Sequence, residues 1–560
     1  MGTRLRAGWA TVALVLLLAL MVPDVTRGVF AMDNQPPGPN RFAIIVQKYI
    51  SYDWWLAGRM DNQVACSLSI DHVGLPTGGD IYTLCGQDIY NEWKITKPCP
   101  PDEPCKGDYL QFVKSEQAQR EVVVTQPPPV VWVTLDGCVP YKSTFRCEDL
   151  PTLVLTGEEP LHSEHITGLA GNVNGKPFTC NPVCQVDLVP TNDAGTTLEF
   201  WAYSSYGDSS EKYQARVRVA RSGDPSDNAW YVDVLSSQWR GDTLAGCSQV
   251  WNKFPPIGGV PDWLSTPQRP EDLATHVSYE YLAANLIKHG TVDASSCDGG
   301  GLLANGLANT CGLDAARSAV DDWQNRFDNF IFLAAQQTGV PAQLLKSIFA
   351  RESQFWPGRL ADHPEIGLGQ MTDGGADAVL SWNPSFYEQF CPSVLDPSIC
   401  KTKIYPQPQD GWQGLGLSEA ERSIVRNALV HSVDAACQDC SMGIDLDKAN
   451  FSVGVFAQTL LANCKQAGMV IDINYGSSTP GDVASYEDLW RFTLVNYNAG
   501  PGCLGLAVDE TSSLGEPLDW EHLSSHLTPA CQGAIDYVNT ISGITPSTTP
   551  IKTPTETPTP

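Results

Sequence analysis

Positive charge is scarce in this chain. Against 63 Asp and Glu stand only 35 Lys and Arg, a formal net charge of −28 over 560 residues. A nucleic-acid partner would want a basic face, so that class is excluded, and adsorption to an anionic cell surface by charge alone is disfavoured. An acidic surface of this kind commonly keeps an extracellular protein soluble. Long apolar runs are equally scarce. The single one, from about Gly8 to Val22, follows Arg4 and Arg6 and precedes small residues near Ala31. That layout predicts an export signal over 1–31. The run is short for a membrane span, and the charged stretch Asp24 to Arg27 leaves an uncleaved anchor as the alternative. The mature chain is expected to be secreted or at the cell surface.

Several cofactor signatures are missing. The glycine run at Cys297-Asp-Gly-Gly-Gly301 has no following Lys-Ser/Thr and no preceding strand, which excludes a phosphate loop. His162-Ser-Glu-His165 does not match zinc-protease spacing and reads as a solvated loop. Cys437-Gln-Asp-Cys440 lacks a second His/Cys pair at zinc spacing and lacks a βαβ context. Eighteen cysteines in an exported chain predict disulfides instead. Close neighbours are Cys99/Cys105, Cys180/Cys184 and Cys437/Cys440. Nine cysteines lie at or before Cys247 and nine at or after Cys297. If the others pair within their halves, one must pair across that divide or stay free.

From residue 32 to about 150, β-rich runs such as FAIIVQKYI, DIYTLC and VVVTQPPPVVWVTL predict a cysteine-stapled β module. Prolines 127–129 mark an edge or a boundary. Residues 151–222 alternate more cleanly, in TLVLTG, CQVDLVPT, TTLEFWAYSSYG and YQARVRVA, at the strand spacing of a β-sandwich. The last two of these look like the closing strands of an immunoglobulin-like extracellular module. Residues 223–310 read as a linker with one helix near 271–288. From Cys311 the period becomes helical, with Val320, Trp323, Phe327, Ile331 and Ala334 on one stripe of a helix ending at Gly339. Ser418 and Glu421 form a capping box. A last helix carrying Leu489, Phe492 and Val495 is expected to stop at the glycines of Asn496–Gly502. Residues 544–560 form a Thr/Pro tail that cannot pack a core.

The segment Pro341–Met371 carries the chemistry. Pro341 suits a helix start, and Leu344, Leu345, Ile348 and Phe349 recur at helical spacing. Glu352 comes next on that face. A carboxylate on a core-facing stripe is costly unless it has partners or stays protonated, which is how a fold holds a general acid near neutral pH.

Three motifs stand in one order. Glu352-Ser-Gln-Phe-Trp-Pro357 resembles the E-S-x-F-x-P segment of lytic transglycosylases related to goose-type lysozyme. Gly367-Leu-Gly-Gln-Met371 resembles their G-L-M-Q turn, and Tyr497-Asn-Ala-Gly-Pro-Gly502 resembles their Y-N-A-G-P-G segment. Asn450-Phe-Ser-Val-Gly454 is a weaker echo of their N-I-x-x-G. The resemblance covers roughly 314–541, within a domain drawn at 311–543. It implies a mainly-α, lysozyme-like C-terminal part and says nothing about the first half; with the strand patterns above, the expected chain is multidomain, an all-β, disulfide-stapled, immunoglobulin-like N-terminal part preceding that helical one. Gly369 departs from the family's Met, which removes a side chain from the cleft wall. A long insertion, about 372–448, carries several cysteines.

The activity this resemblance implies is cleavage of the MurNAc-GlcNAc β-1,4 bond of peptidoglycan, with Glu352 as acid and then base and a 1,6-anhydro product. No metal and no cofactor are implied. Ser353, Gln370, Met371, Tyr497 and Asn498 match positions that orient the acid or bind sugar. The implied partner is the glycan strand, with a wall or cell-surface partner for the β modules. A second carboxylate among Asp362, Glu365, Asp373 and Asp377 would make the outcome hydrolysis. A non-catalytic wall-binding or adhesion protein that keeps the fold is the reading from another class.

Overall fold

The computed structural model describes residues 37–96, 107–222, 226–240, 246–359, 365–405, 416–476 and 478–544. The export signal, Cys99 and Cys105, Asp362 and the Thr/Pro tail lie outside the described residues. A β-rich N-terminal region is followed by a helical C-terminal region, and contacts divide the chain into two compact units.

The first unit comprises the chain up to Pro129 together with 159–165 and 204–211. Strands β1 (Phe42–Gly58), β2 (Val64–Ile70) and β3 (Asp108–Thr125) form an antiparallel sheet in the order β2-β1-β3. DIYTLC, expected as a strand, lies instead in helix α1 (Gly78–Cys85), which α2 (Gln87–Lys94) follows. The reason is a capping box: the Thr77 hydroxyl accepts from the Asp80 N–H while the Asp80 carboxylate accepts from the Thr77 N–H. A Cys66–Cys85 disulfide then fastens α1 to β2. The two later segments join this unit through Arg41, whose buried guanidinium reaches Glu159 at 2.6 Å and Asp208 at 2.8 Å. Burial pushes the Glu159 carboxyl up, but hydrogen bonds from Arg41, Ser204 and the Leu161 N–H outweigh it and hold it near about 2. His162 and His165 are exposed on the loop, and no metal-holding group occurs among the described residues.

The second unit begins with eight strands: β4 (Val130–Tyr141), β5 (Thr144–Glu158), β6 (Ile166–Val173), β7 (Lys176–Cys180), β8 (Val183–Asp187), β9 (Thr196–Ser204), β10 (Tyr213–Arg221) and β11 (Trp230–Leu235). Their order is β4-β5-β11-β10-β9-β6-β7, with β8 against β5. Both expected boundaries of this part move. The 150/151 boundary falls inside β5, because Pro151 sits where the ladder to β4 is already interrupted between Asp136 and Cys138. The 222 boundary cuts off β11, which pairs with both β10 and β5.

Residues 246–310 are not a linker. Trp251, Leu264, Leu273 and Leu282 are buried in the same core as the helices that follow. Helix α3 (Gly246–Trp251) is held by a Cys247–Cys464 disulfide, and the Trp251 indole N–H donates to the Cys464 carbonyl at 2.9 Å. This is the bond across the cysteine divide. Helix α4 (Glu280–Lys288) is shorter than the expected 271–288. The stripe from Val320 to Ala334 belongs to two helices, α5 (Thr310–Asn325) and α6 (Asp328–Thr338). Then come α7 (Ala342–Ser353), with Pro341 as its N-cap, and helices α8 (Asp373–Trp382), α9 (Pro384–Phe390), α10 (Pro397–Thr402) and α11 (Glu419–Val433). The Ser418–Glu421 capping box opens α11.

Helix α12 (Leu446–Tyr475) is followed by α13 (Pro480–Val483) and by α14 (Tyr486–Ser513), which packs along α12. The helical backbone breaks at Gly500, at φ 84° and ψ 168°, as the glycines lead one to expect, and a second helical stretch continues α14 across this kink from Pro501 to Ser513. Helices α15 (Trp520–Ser525) and α16 (Gly533–Ser542) complete the unit. Among the described residues all cysteines pair, including Cys437 with Cys440, which marks an oxidising, extracytoplasmic setting. No described helix is long and apolar enough to cross a membrane.

The disulfides should differ sharply in what they contribute. Cys247–Cys464 spans 217 residues and Cys437–Cys440 only 3. Chain-entropy reasoning puts the first at about 5 kcal/mol and the second at about 2 kcal/mol. Guanidinium unfolding of the paired Cys→Ala variants checks this; equal midpoints for the two would contradict it.

Candidate active site

Glu352 lies on the last turn of α7, after the buried Leu345, Ile348 and Phe349. The helix stops abruptly there. Gln354 and Phe355 both adopt positive φ, 48° and 62°, a left-handed conformation that costs a non-glycine residue roughly 1–3 kcal/mol. Neighbours hold both in place. The Gln354 side chain accepts from the Tyr281 N–H at 2.8 Å, and the fully buried Phe355 ring packs against Tyr279. The Phe355 carbonyl accepts from the Trp323 indole at 2.9 Å. The turn therefore points the chain away sharply and leaves Glu352 at the helix end.

The Glu352 carboxyl is half-buried, and burial pushes it up to about 7. A hydrogen bond from the Tyr537 hydroxyl, 2.7 Å from Oε1, and the charge of Arg351 pull it back down; the charge of Glu365 pushes it further up. Tyr497 is the second phenol at the site. Its hydroxyl donates to the Gly369 carbonyl at 2.5 Å, and both tyrosines have hydroxyls raised well above their usual range, first by burial and then by the Glu352 charge. Helix α7, the 366–371 turn, α14 and α16 thus meet at one carboxyl.

The remaining expected residues divide. Ser353 is buried and donates to the Leu368 carbonyl at 2.8 Å and to Phe349 at 3.2 Å, so it ties the helix end to the turn. Gln370, at φ 53°, folds its amide back onto the Gly367 carbonyl at 2.7 Å. Met371 is buried, and its backbone pairs with Ile366 in both directions, closing the turn. Asn498 is exposed on α14, one residue beyond Tyr497. Of the acids considered as a second carboxylate, Asp373 and Asp377 face Arg426, and Asp377 also accepts from Tyr405. Of these acids, among the described residues, Glu365 is the one whose charge bears on Glu352.

Gly369 has a packing reason. A Cβ there would stand 2.5 Å from Phe456 and 2.7 Å from the Tyr497 hydroxyl, so these rings already fill the space a side chain would take. Tyr537 went unnoticed in the sequence because it lies on an ordinary apolar face with Ala534, Val538 and Ile541. Nothing local distinguishes it from a core tyrosine.

Two outcomes follow from this geometry. Tyr537→Phe removes the bond that favours the charged carboxyl, so the Glu352 pKa should rise above about 7; carbon-detected NMR titration reads it, and a downward shift would contradict the assignment. Gly369→Ala should destabilise the chain by about 1–3 kcal/mol through overpacking against Phe456 and Tyr497, as measured by thermal unfolding.

Neither a protein-family model nor a curated protein matches the chain. Among solved structures, a chain described as a polysaccharide lyase aligns at a TM-score of 0.12 and 11% identity. The alignment covers 88% of this chain and 58% of the other. At that score the likeness carries no argument about fold or activity.

Proposed function

We propose that this protein is an exported peptidoglycan lytic transglycosylase with a lysozyme-like helical domain, preceded by immunoglobulin-like β modules that position it on the wall. The observation that carries this reading is a single carboxyl, Glu352, raised to about 7 beside two phenols, the buried Tyr537 and the half-buried Tyr497. A glycosidic oxygen is a poor leaving group and needs a proton, and a carboxylic acid with this pKa keeps a large protonated fraction, about half, at neutral pH. The ordered motifs at 352–357, 367–371 and 497–502 support the same reading, because three of them converge here.

The chemistry needs neither metal nor cofactor. Glu352 protonates the leaving oxygen while the substrate's own acetamido group assists. The resulting carboxylate then takes the proton of the sugar's 6-hydroxyl as the anhydro ring closes. The Tyr537 hydroxyl stabilises that carboxylate form. Hydrolysis of the same bond is the second reading, and Glu365 is the feature that favours it, as the acid whose charge is felt at Glu352.

Digestion of purified peptidoglycan followed by mass spectrometry tests both. The expected products carry 1,6-anhydromuramoyl ends; reducing ends alone would establish hydrolysis instead. Glu352→Gln should lower the rate by roughly 10²–10⁴-fold, and wild-type activity should fall as the pH rises through about 7, because the acid form is lost. Equal activity of wild type and Glu352→Gln would sink the assignment of the acid.

A further inference from the structure

A cavity of about 550 Å³ lies within the second unit between the sheet and the helices, and Glu352 is not among its lining residues. Its inner end is polar. Asp233 on β11, Thr144 on β5, Ser248 on α3 and Tyr486 on α14 line it there, and all four are buried. Its sides carry rings, Tyr141, Phe145 and Phe332. Its mouth is open: Val139 and Gln336 are both exposed. The cavity size falls within the range of small-molecule sites.

Asp233 sets the chemistry. Its Oδ2 accepts two hydrogen bonds from Arg218, at 2.9 and 2.5 Å, while Oδ1 is buried with no well-formed hydrogen bond: the neighbouring Thr144 hydroxyl gives its proton to the Val232 carbonyl at 3.1 Å. A buried carboxylate oxygen left without a donor is costly, and most such atoms in folded proteins are satisfied. The Arg218 pairing already neutralises the charge, so the cavity does not call for a cation. Nor does it offer an anion a free cation, because Arg218 is paired with Asp233 and Lys142, at the rim, faces Asp262 at 3.6 Å. What the site lacks is a neutral hydrogen-bond donor.

The rim is also built at a cost. Lys142 and Ser143 form the two-residue turn between β4 and β5, both at positive φ, 42° and 65°, where glycine or asparagine is the usual choice. Neighbouring backbone holds the turn in place: the Val260 N–H donates to the Lys142 carbonyl.

The geometry points to a binding site for a neutral, hydroxyl-rich sugar residue. Its hydroxyls donate to Asp233 Oδ1, directly or through one water, and exchange hydrogen bonds with Thr144, Ser248 and Tyr486. Its C–H faces lie against Tyr141, Phe145 and Phe332. The site is independent of the reaction at Glu352 and stands whether or not that reading does.

Saturation-transfer NMR on the full mature chain tests it, with glucose, galactose, mannose and N-acetylglucosamine as probes and N-acetylalanine amide as a neutral non-sugar control. At least one sugar should bind saturably, and equally well to Glu352→Gln. Gln336→Trp and Val139→Trp, which fill the mouth from exposed positions, should weaken that binding at least tenfold. Asp233→Asn should do the same at the floor, and the mouth variants decide the matter if it does not fold. No saturable binding by any of the four sugars overturns the proposal. So does binding that the mouth variants leave unchanged, or equal binding of the amide.

Discussion

Keeping one carboxyl partly out of water is the constraint from which the helical region takes its arrangement. Glu352 in the folded chain sits near about 7, against an ordinary value of 4.5. The folded state therefore holds its proton more tightly than the unfolded state. Stability contributed by the neutral acid is full below about pH 4.5 and is lost as the pH rises toward 7. At neutral pH and above the loss amounts to about 3 kcal/mol. The strained turn at Gln354 and Phe355 adds to it. The apolar core around α7, α12 and α14 and the long Cys247–Cys464 bond are large enough to carry both.

The second unit has one long covalent tie and several short ones. Cys247–Cys464 locks α3, and with it the chain leaving the sheet, onto the middle of α12. Trp251 completes that joint by stacking edge-on against Trp490, at 5.1 Å, and Tyr486, at 6.1 Å. Sheet side chains reach the same segment: Arg216 donates to the Asn252 carbonyl and Arg218 to that of Pro255. The short bonds, such as Cys391–Cys400 and Cys437–Cys440, brace local turns among the helices between α7 and α12.

Much of this was legible where the signal was local. Glu352 on an apolar stripe, the Ser418 capping box and the β-to-helix change of period all follow from neighbouring residues. The parity of the cysteines required a crossing bond or a free thiol without saying which. DIYTLC was misread because its β-prone residues outweighed the Thr77–Asp80 cap, which was present in the sequence to be used. The break at Gly500 is legible too, because a glycine followed by proline interrupts a helix, whereas the second helical stretch that begins at Pro501 carries no comparable signal. Gly369 read as an open cleft wall, since Phe456 and the Tyr497 hydroxyl are brought to it by distant parts of the chain. Tyr537 stands 185 residues from Glu352, and no spacing rule reaches that far.

That separation has a consequence for how the protein comes into being. Tyr537 belongs to α16, the last helix of the described chain, whereas Glu352 lies far upstream. A chain made from its N-terminus presents Glu352 well before α16 is available to dock. Until then the carboxyl is more open to water, and without that burial it behaves as an ordinary ionised side chain. The raised pKa of Glu352 is thus a property of the whole helical region, completed by its last described helix, and not of α7 alone.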